Sequence, residues 1–314
     1  MVTVTEPTAT RGEASMIRRR RGGRPGRRGS RRVKAAPYLF VAPFVLVFAA
    51  FSAYPIFFAL QLSFTNWHGA GALEVIGFAN YRFLLTSPDF WQSMATSGAL
   101  WLLVVPAQIL LALTIAVALR KARFRGLFSA ALIAPFVTPL VAMAQVWIIL
   151  FDQDFGAVNH GLTSLGLPAV GWLTTSAWAK VTVALLVLWR TTGYAVILLM
   201  AGLSTIPSDV YEAARIDGAG AWQQFWSITV PLVTRTLSFV VVIGTLTVFQ
   251  LFAEPYVVTG GGPFNGTRTA GLYLYKHITN SDLGLGAANS MLLVLMVLAL
   301  SLASIRLLRS REDS

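Results

Sequence analysis

The sequence contains no cysteine, which excludes disulfides, thiolate metal ligands and a cysteine nucleophile. Its three histidines, His68, His160 and His277, lie far apart and lack the spacing of a metal site, so no metal is expected. Charged residues are also scarce: they make up 12% of the chain, about half the share found in an ordinary soluble domain. This scarcity of charge excludes a water-soluble globular protein, because too few charged residues are available to cover a surface that faces water.

Long apolar runs take the place of the missing charge. Hydrophobic residues make up 55% of the 314 residues and are concentrated in runs of roughly 20 residues, the length needed to cross a bilayer as a helix. None of the runs alternates as a barrel strand does. The first run lacks the cleavage site of a signal peptide and is predicted to be retained. The sequence therefore predicts an all-α membrane protein with six transmembrane helices, at about 38–61, 97–119, 127–151, 180–203, 236–258 and 287–308.

The net charge of +12 predicts orientation, not nucleic-acid binding, because of where the charge lies. Eleven Lys and Arg residues precede the first run, four lie in the turn 120–125, two in the loop 204–235 and three near the C-terminus. Since cytoplasmic loops are rich in Lys and Arg, both termini and this loop are predicted to be cytoplasmic. Residues 1–36 are predicted to be a disordered tail that touches anionic membrane lipid. Residues 37–310 then form the six-helix domain, followed by the cytoplasmic C-terminus 311–314.

The loop before the fifth run has the pattern of a helix, a tight turn and a second short helix. Asp209 followed three residues later by Glu212 is typical of a capping box. Ala213 and Ala214 leave the helix surface shallow enough for another backbone to come close. Gly218 can take the positive φ of a C-terminal turn. The loop is therefore predicted to form a rigid helical knob that fits a groove on another protein.

The segment EAARIDGAGAWQQFWSITVP resembles the EAA loop of ABC importer membrane subunits, although Val230 stands where Leu is usual. APFVLVFAAFSAYPIFFALQLSFTNW, GFANYRFLL and TGGGPFNGT are similar to sugar-type permeases of binding-protein-dependent importers, and the likeness extends from about residue 37. The resemblance implies a type I permease bundle in the bacterial plasma membrane, whose EAA loop sits in a cleft of a separate ATPase. The residues to which it assigns this coupling are Glu212, Ala213, Ala214, Asp217, Gly218, Ala219 and Gly220.

The resemblance also implies partners outside the chain. These are a second permease subunit in a heterodimer, two copies of a cytoplasmic ATPase that bind ATP and Mg, and an extracytoplasmic sugar-binding protein. The chain itself is expected to be neither an enzyme nor a cofactor-binding protein. Its nearest match to a phosphate-binding loop, 261–266, has Thr267 in place of the required Lys. Gly261, Gly262 and Pro263 in this loop are predicted to contact the binding protein instead.

Polar and aromatic residues inside the apolar runs predict the substrate pathway, because an Arg at the bilayer centre costs roughly 2.5–3.5 kcal/mol and usually faces a cavity. Arg190 and Gln250 are expected roughly 15 Å and 12 Å from the outer ends of their helices. Two alternatives stay open for Arg190: contact with substrate, including an acidic or phosphorylated sugar, or a pair such as that with Glu254. The predicted pathway residues are Phe136, Leu140, Gln145, Trp189, Arg190, Tyr194, Phe249 and Gln250.

The sequence thus predicts the permease subunit of an ABC importer for an oligosaccharide, disaccharide or sugar derivative, forming half of the translocation pathway. The alternative is a secondary transporter or channel that uses Arg190. Such a protein would need coupling carboxylates inside the spans, and Glu254 is nearly the only one. Neither a metalloprotease nor a serine hydrolase motif occurs, which argues against an intramembrane enzyme.

Overall fold

The computed structural model describes residues 35–120 and 122–309, and these residues are predominantly helical. The predictions made for the basic tail before residue 35 and for the C-terminus 311–314 lie outside the described residues. An isolated bridge between Thr65 and Val75 is present, and no strand occurs in the described part of the chain. Two π-helical turns, Ala49–Ala53 and Phe225–Thr229, interrupt the helices. The helices are α1 (Ala35–Phe48), α2 (Tyr54–Leu62), α3 (Ala79–Thr86), α4 (Pro88–Leu119), α5 (Arg125–Val137), α6 (Leu140–Leu150), α7 (Ala157–Ser164), α8 (Ser176–Ser204), α9 (Ser208–Ile216), α10 (Ala221–Gln224), α11 (Val230–Leu232), α12 (Thr234–Phe249), α13 (Ala253–Thr259), α14 (Ala270–Thr279) and α15 (Leu283–Arg309).

The chain divides into two units, Met1–Phe51 and Ser52–Ser314. In the described part of the first unit, α1 carries no charged residue and contains Pro43. The second unit holds all the helices from α2 onward. One buried cluster lies between α4, α8 and α12, and another lies between α3, α4, α14 and α15.

Four helical stretches are long and apolar enough to cross a membrane: Tyr38–Leu62, Pro88–Leu119, Ser176–Ser204 and Leu283–Arg306. Two bent pairs of helices pass the same test. One joins α5 to α6 with a bend of 92°, and the other joins Ala221–Leu232 to α12 with a bend of 71°. Counting each pair as one span gives up to six among the described residues, in agreement with the predicted helical membrane protein.

Two of the predicted spans are not single helices. The run predicted at 127–151 is divided between α5 and α6, because Thr138 is extended (φ −68°, ψ 140°) before Pro139. A residue before proline disfavours the helical conformation, and proline itself offers no N–H for a helical hydrogen bond. The run predicted at 236–258 ends as α12 at Phe249, and α13 begins separately at Ala253.

Close backbone packing holds α8 in the centre of the bundle. Gly193 lies directly against α5, since a Cβ atom at this position would come within 1.8 Å of the Leu132 carbonyl oxygen. On the α4 side, Ala112, Ala116 and Ala195 are buried in one cluster. Small residues at such contacts are typical of helix packing inside membranes, where close van der Waals contact replaces the hydrophobic effect.

Candidate functional site

The predicted knob is an exposed feature of the bundle. We call residues 208–232 the EAA knob. Its first helix, α9, contains no buried residue, and Glu212 and Ala213 are both exposed. The motif is therefore presented at the surface of the chain and does not form part of its core.

The start of α9 differs from the predicted capping box. Pro207 occupies the N-cap position (φ −57°, ψ 143°), and no side chain caps the helix. Asp209 lies inside the first turn instead, so its carboxylate cannot act as the N-cap and Glu212 has no N-cap N–H to reach. The predicted capping box is therefore wrong, because Asp209 does not occupy the N-cap position. An acidic side chain in the first turn still interacts favourably with the helix dipole.

The end of α9 has the predicted glycine turn. Gly218 has a φ of +83°. Its N–H donates to the Arg215 carbonyl at 3.1 Å, and the Ala219 N–H donates to the Ala214 carbonyl at 2.8 Å. These two bonds are the pair found in a Schellman motif, which requires a residue in the left-handed region at the position of Gly218. No other atom lies within 4 Å of a Cβ built on this glycine, so backbone conformation, not space, selects glycine here.

Contacts at its base tie the EAA knob to the membrane helices. The Arg120 guanidinium carbon lies 4.4 Å from the centroid of the Tyr211 ring, a cation–π distance. The Tyr211 hydroxyl lies 3.1 Å from Thr229 Oγ1. Arg120 also donates to the Ile206 carbonyl at 3.5 Å. Sequence reasoning counted Arg120 only as a marker of orientation, and no local pattern connects it to a ring 91 positions away.

A buried ion pair joins Arg190 of α8 to Glu254 of α13. A guanidinium nitrogen of Arg190 donates to Glu254 Oε1, and the two side chains are only 18% and 4% exposed. Glu254 lies in the first turn of α13, just after the break that separates this helix from α12. Arg190 Nε is buried and has no partner among the described residues. The alternative of an Arg190–Glu254 pair, which the sequence left open, is thus present in the structure.

Five of the remaining pathway residues border three separate cavities. Phe136 and Tyr194 stack with centroids 5.0 Å apart beside a cavity of about 210 Å³. Gln108 and Thr191 line the same cavity, and the Gln108 amide donates to Thr191 Oγ1 at 2.8 Å.

The other predicted pathway residues lie elsewhere on the bundle. Trp189 borders a second cavity of about 400 Å³. Phe249 and Gln250 border a third cavity of about 630 Å³, between α12, α14 and α15. Leu140 and Gln145 lie on α6, half-buried and exposed respectively. Within the described residues, the predicted pathway residues therefore do not line one common cavity.

The glycine-rich loop after α13 is an ordered turn. Gly260 and Gly261 have φ values of 61° and 88°. Thr267 holds the loop closed, since its hydroxyl donates to the Gly262 carbonyl at 2.9 Å and its N–H donates to the Gly261 carbonyl at 3.2 Å. Phe264, which sequence reasoning did not single out, projects from this turn and is 92% exposed. The described residues contain no group of three side chains that could hold a metal.

A bundle of apolar helices with an exposed EAA knob defines the membrane-spanning subunit of an importer. Residues 108–311 match the model of the binding-protein-dependent transport system inner membrane component, and the chain belongs to this family. It is a multi-pass inner membrane protein and a translocation component, not an enzyme. Subunits of this kind work with a binding protein and a separate ATPase.

Relatives cover nearly the whole chain. The lactose transport system permease protein of Rhizobium radiobacter is 35% identical over 88% of this chain and 94% of the relative. The trehalose/maltose transport system permease protein of Thermococcus litoralis is 30% identical over 88% of this chain and 94% of its own. A crystal structure of a bacterial alginate ABC transporter, in complex with an alginate-bound periplasmic protein, contains a chain with a TM-score of 0.74 at 22% identity, covering 89% and 96% of the two chains. This likeness confirms the predicted fold.

Proposed function

We propose that the chain forms one half of the translocation pathway of an ABC importer for a neutral sugar, and that its EAA knob couples the pathway to the ATPase. The observation that carries the proposal is the exposed α9 with its Schellman turn in a chain of this family. That the substrate is a sugar is supported by relatives whose names specify lactose and trehalose or maltose.

The EAA knob has the properties that a docking element needs. Glu212, Ala213, Asp217, Gly218 and Gly220 are exposed, and Ala214 and Ala219 are half-buried. The small residues leave room for the wall of a cleft, while the Schellman turn fixes the end of the helix. In this proposal ATP and Mg are bound by two copies of the ATPase, and the EAA knob transmits their movement to the spans.

The Arg190–Glu254 pair favours a neutral substrate over an anionic one. The Glu254 carboxylate accepts a hydrogen bond from the guanidinium that an acidic or phosphorylated sugar would require. A substrate anion would have to displace a partner that is already buried and oriented, at the cost of leaving Glu254 unpaired. The stacked rings of Phe136 and Tyr194 offer instead an apolar surface of the kind on which sugar faces pack.

The predicted pathway residues that border cavities do so at three separate places, and this arrangement suits a chain that supplies only half of a pathway. We propose a second permease subunit, in a heterodimer, as the partner that completes it. The turn containing Gly261, Gly262 and Pro263 is proposed to contact the extracytoplasmic sugar-binding protein, and both chain termini are proposed to lie in the cytoplasm.

Reconstitution tests this function. The chain, its permease partner and the ATPase are placed in liposomes with the binding protein, and uptake of radiolabelled disaccharide is measured together with ATP hydrolysis. We expect Glu212→Arg to abolish ATP-dependent uptake and retention of the ATPase on the permease. Glu74→Arg, which changes an exposed carboxylate in the loop between α2 and α3, is the matched control. Uptake by the chain alone, driven by an ion gradient, would instead support a secondary transporter.

A further inference from the structure

The second limb of the EAA knob, Ala221–Leu232, carries an exposed aromatic cluster that lies outside α9. Trp222 is 75% exposed and Trp226 is 49% exposed. Their ring centroids lie 5.7 Å apart in an edge-to-face contact. Phe225 packs against Trp226 at 5.1 Å. The rings thus support one another while keeping a large apolar surface outside the protein.

The direction of this limb places it beside the membrane. It is bent by 71° from α12, which forms the main part of the fifth span. Spanning helices are tilted by about 20° on average from the bilayer normal, so the limb lies closer to the membrane plane than to the normal. Its exposed apolar surface continues through Leu232, 53% exposed, to Phe239, 50% exposed, on α12 itself. Exposed apolar side chains therefore occur on both sides of the bend between this limb and the span.

The chemistry of the two limbs also differs. The nine residues of α9 include Asp209, Glu212 and Arg215, as a surface for a protein partner would. The segment 221–232 contains no charged residue. Its exposed surface combines Trp indoles with the amide of Gln223 and the hydroxyl of Ser227. Indole rings with polar neighbours are enriched at the level of lipid headgroups, where an apolar ring and an N–H donor are both satisfied.

We propose that Trp222 and Trp226 anchor the second limb in the boundary between headgroups and acyl chains of the adjacent leaflet, with phospholipid as the partner. The anchor fixes the depth at which α9 is presented to its own partner. This inference rests on the membrane location of the chain and goes beyond its coupling to an ATPase, so either can fail while the other holds.

The absence of native cysteine allows a direct test. Single cysteines are introduced as Trp222→Cys, Trp226→Cys and Asp217→Cys, and each is labelled with a nitroxide in the assembled transporter in lipid nanodiscs. We expect the labels at 222 and 226 to be relaxed more strongly by oxygen, which partitions into lipid, than by a water-soluble nickel chelate. In the permease without its ATPase, where the EAA knob is free, the label at 217 should show the reverse order. The same measurement on the permease without its ATPase should leave the order at 222 and 226 unchanged.

Two outcomes would overturn the anchor. One is strong relaxation of the 222 and 226 labels by the nickel chelate in both assemblies. The other is nickel access in the permease alone that is lost only when the ATPase is added, which would make the aromatic cluster part of the ATPase contact. A second measurement uses the native rings. Phospholipid brominated near the headgroup should quench the tryptophan fluorescence of the unmodified protein more than that of the Trp222→Phe/Trp226→Phe variant, and equal quenching would count against the anchor.

Discussion

Removal of the Glu254 carboxylate should destabilise the bundle more than any change at its surface. In Glu254→Ala the Arg190 guanidinium keeps its charge, because arginine does not release its proton in proteins. It also loses the oxygen to which it donates. Its side chain is only 18% exposed, so water can replace the lost partner only in part. The variant therefore leaves an uncompensated charge within a membrane-spanning bundle.

The expected cost follows from measured behaviour of buried ion pairs. Removing one partner typically costs 3–5 kcal/mol, whereas replacing both by apolar side chains of similar volume is often neutral or stabilising. Because Arg190 is partly exposed, we expect Glu254→Ala to lower the free energy of unfolding by about 3 kcal/mol, the lower end of this range. This cost corresponds to roughly a hundredfold change in the unfolding equilibrium constant. The double variant Arg190→Met/Glu254→Leu should recover most of this loss.

A double-mutant cycle in lipid–detergent bicelles measures these changes as free energies of reversible unfolding. Glu212→Ala is the matched control, since it removes a carboxylate of the same type from the exposed face of α9. Equal stability of Glu254→Ala and Glu212→Ala would refute the reasoning. So would a double variant as unstable as the single one, because the loss would then come from packing and not from the unpaired charge.

Three further changes probe the EAA knob and the outer loop. Gly218→Ala should cost about 1 kcal/mol in the local turn, because its φ of +83° disfavours a side chain, and should weaken ATPase retention in pull-down more than Gly220→Ala does. Tyr211→Leu, which removes both the ring under Arg120 and the hydroxyl beside Thr229, should lower sugar uptake per ATP hydrolysed more than Tyr211→Phe, which keeps the ring. Burial lowers the pKa of His277, so the unfolded chain binds more protons than the folded chain as the pH falls below the ordinary histidine value. The midpoint of thermal unfolding should therefore decrease on acidification through that range, and it should decrease less in His277→Phe.

The sequence predicts the parts of this structure that depend on local chemistry. Apolar runs locate the spans because only length and composition are needed to cross hydrocarbon. The positive φ at Gly218 follows from a glycine at the end of a helical pattern. The preference of a residue before proline for an extended conformation also predicts a break before Pro139. The continuous hydrophobicity of 127–151 nevertheless favours a single unbroken span. A run of apolar residues indicates immersion in lipid, but it does not show whether the helix changes direction within the run.

Contacts between distant segments are less accessible to such reasoning. The Arg190–Glu254 pair could be raised as an alternative because a charge within a span needs a partner and few are available. The Arg120–Tyr211 contact could not be predicted in this way. Many cationic and aromatic residues lie near the ends of the spans, and the sequence does not show which of them meet. The capping box failed for a related reason: the pattern was correct, but Pro207 had already occupied the N-cap position.

The two candidate sites are joined by one rigid helix. α8 carries Arg190 near its middle, and its C-terminal half contributes Val196, Leu199 and Leu203 to the buried cluster on which Tyr211 of the EAA knob also packs. Contact between Gly193 and the α5 backbone leaves little freedom for α8 to slide within the bundle. A force applied to α9 should therefore rotate α8 together with its neighbours, and the Arg190–Glu254 pair would carry this movement to α13 and the glycine-rich turn beyond it. Breaking the pair should for this reason reduce stimulation of ATP hydrolysis by the binding protein even under conditions where the bundle remains folded.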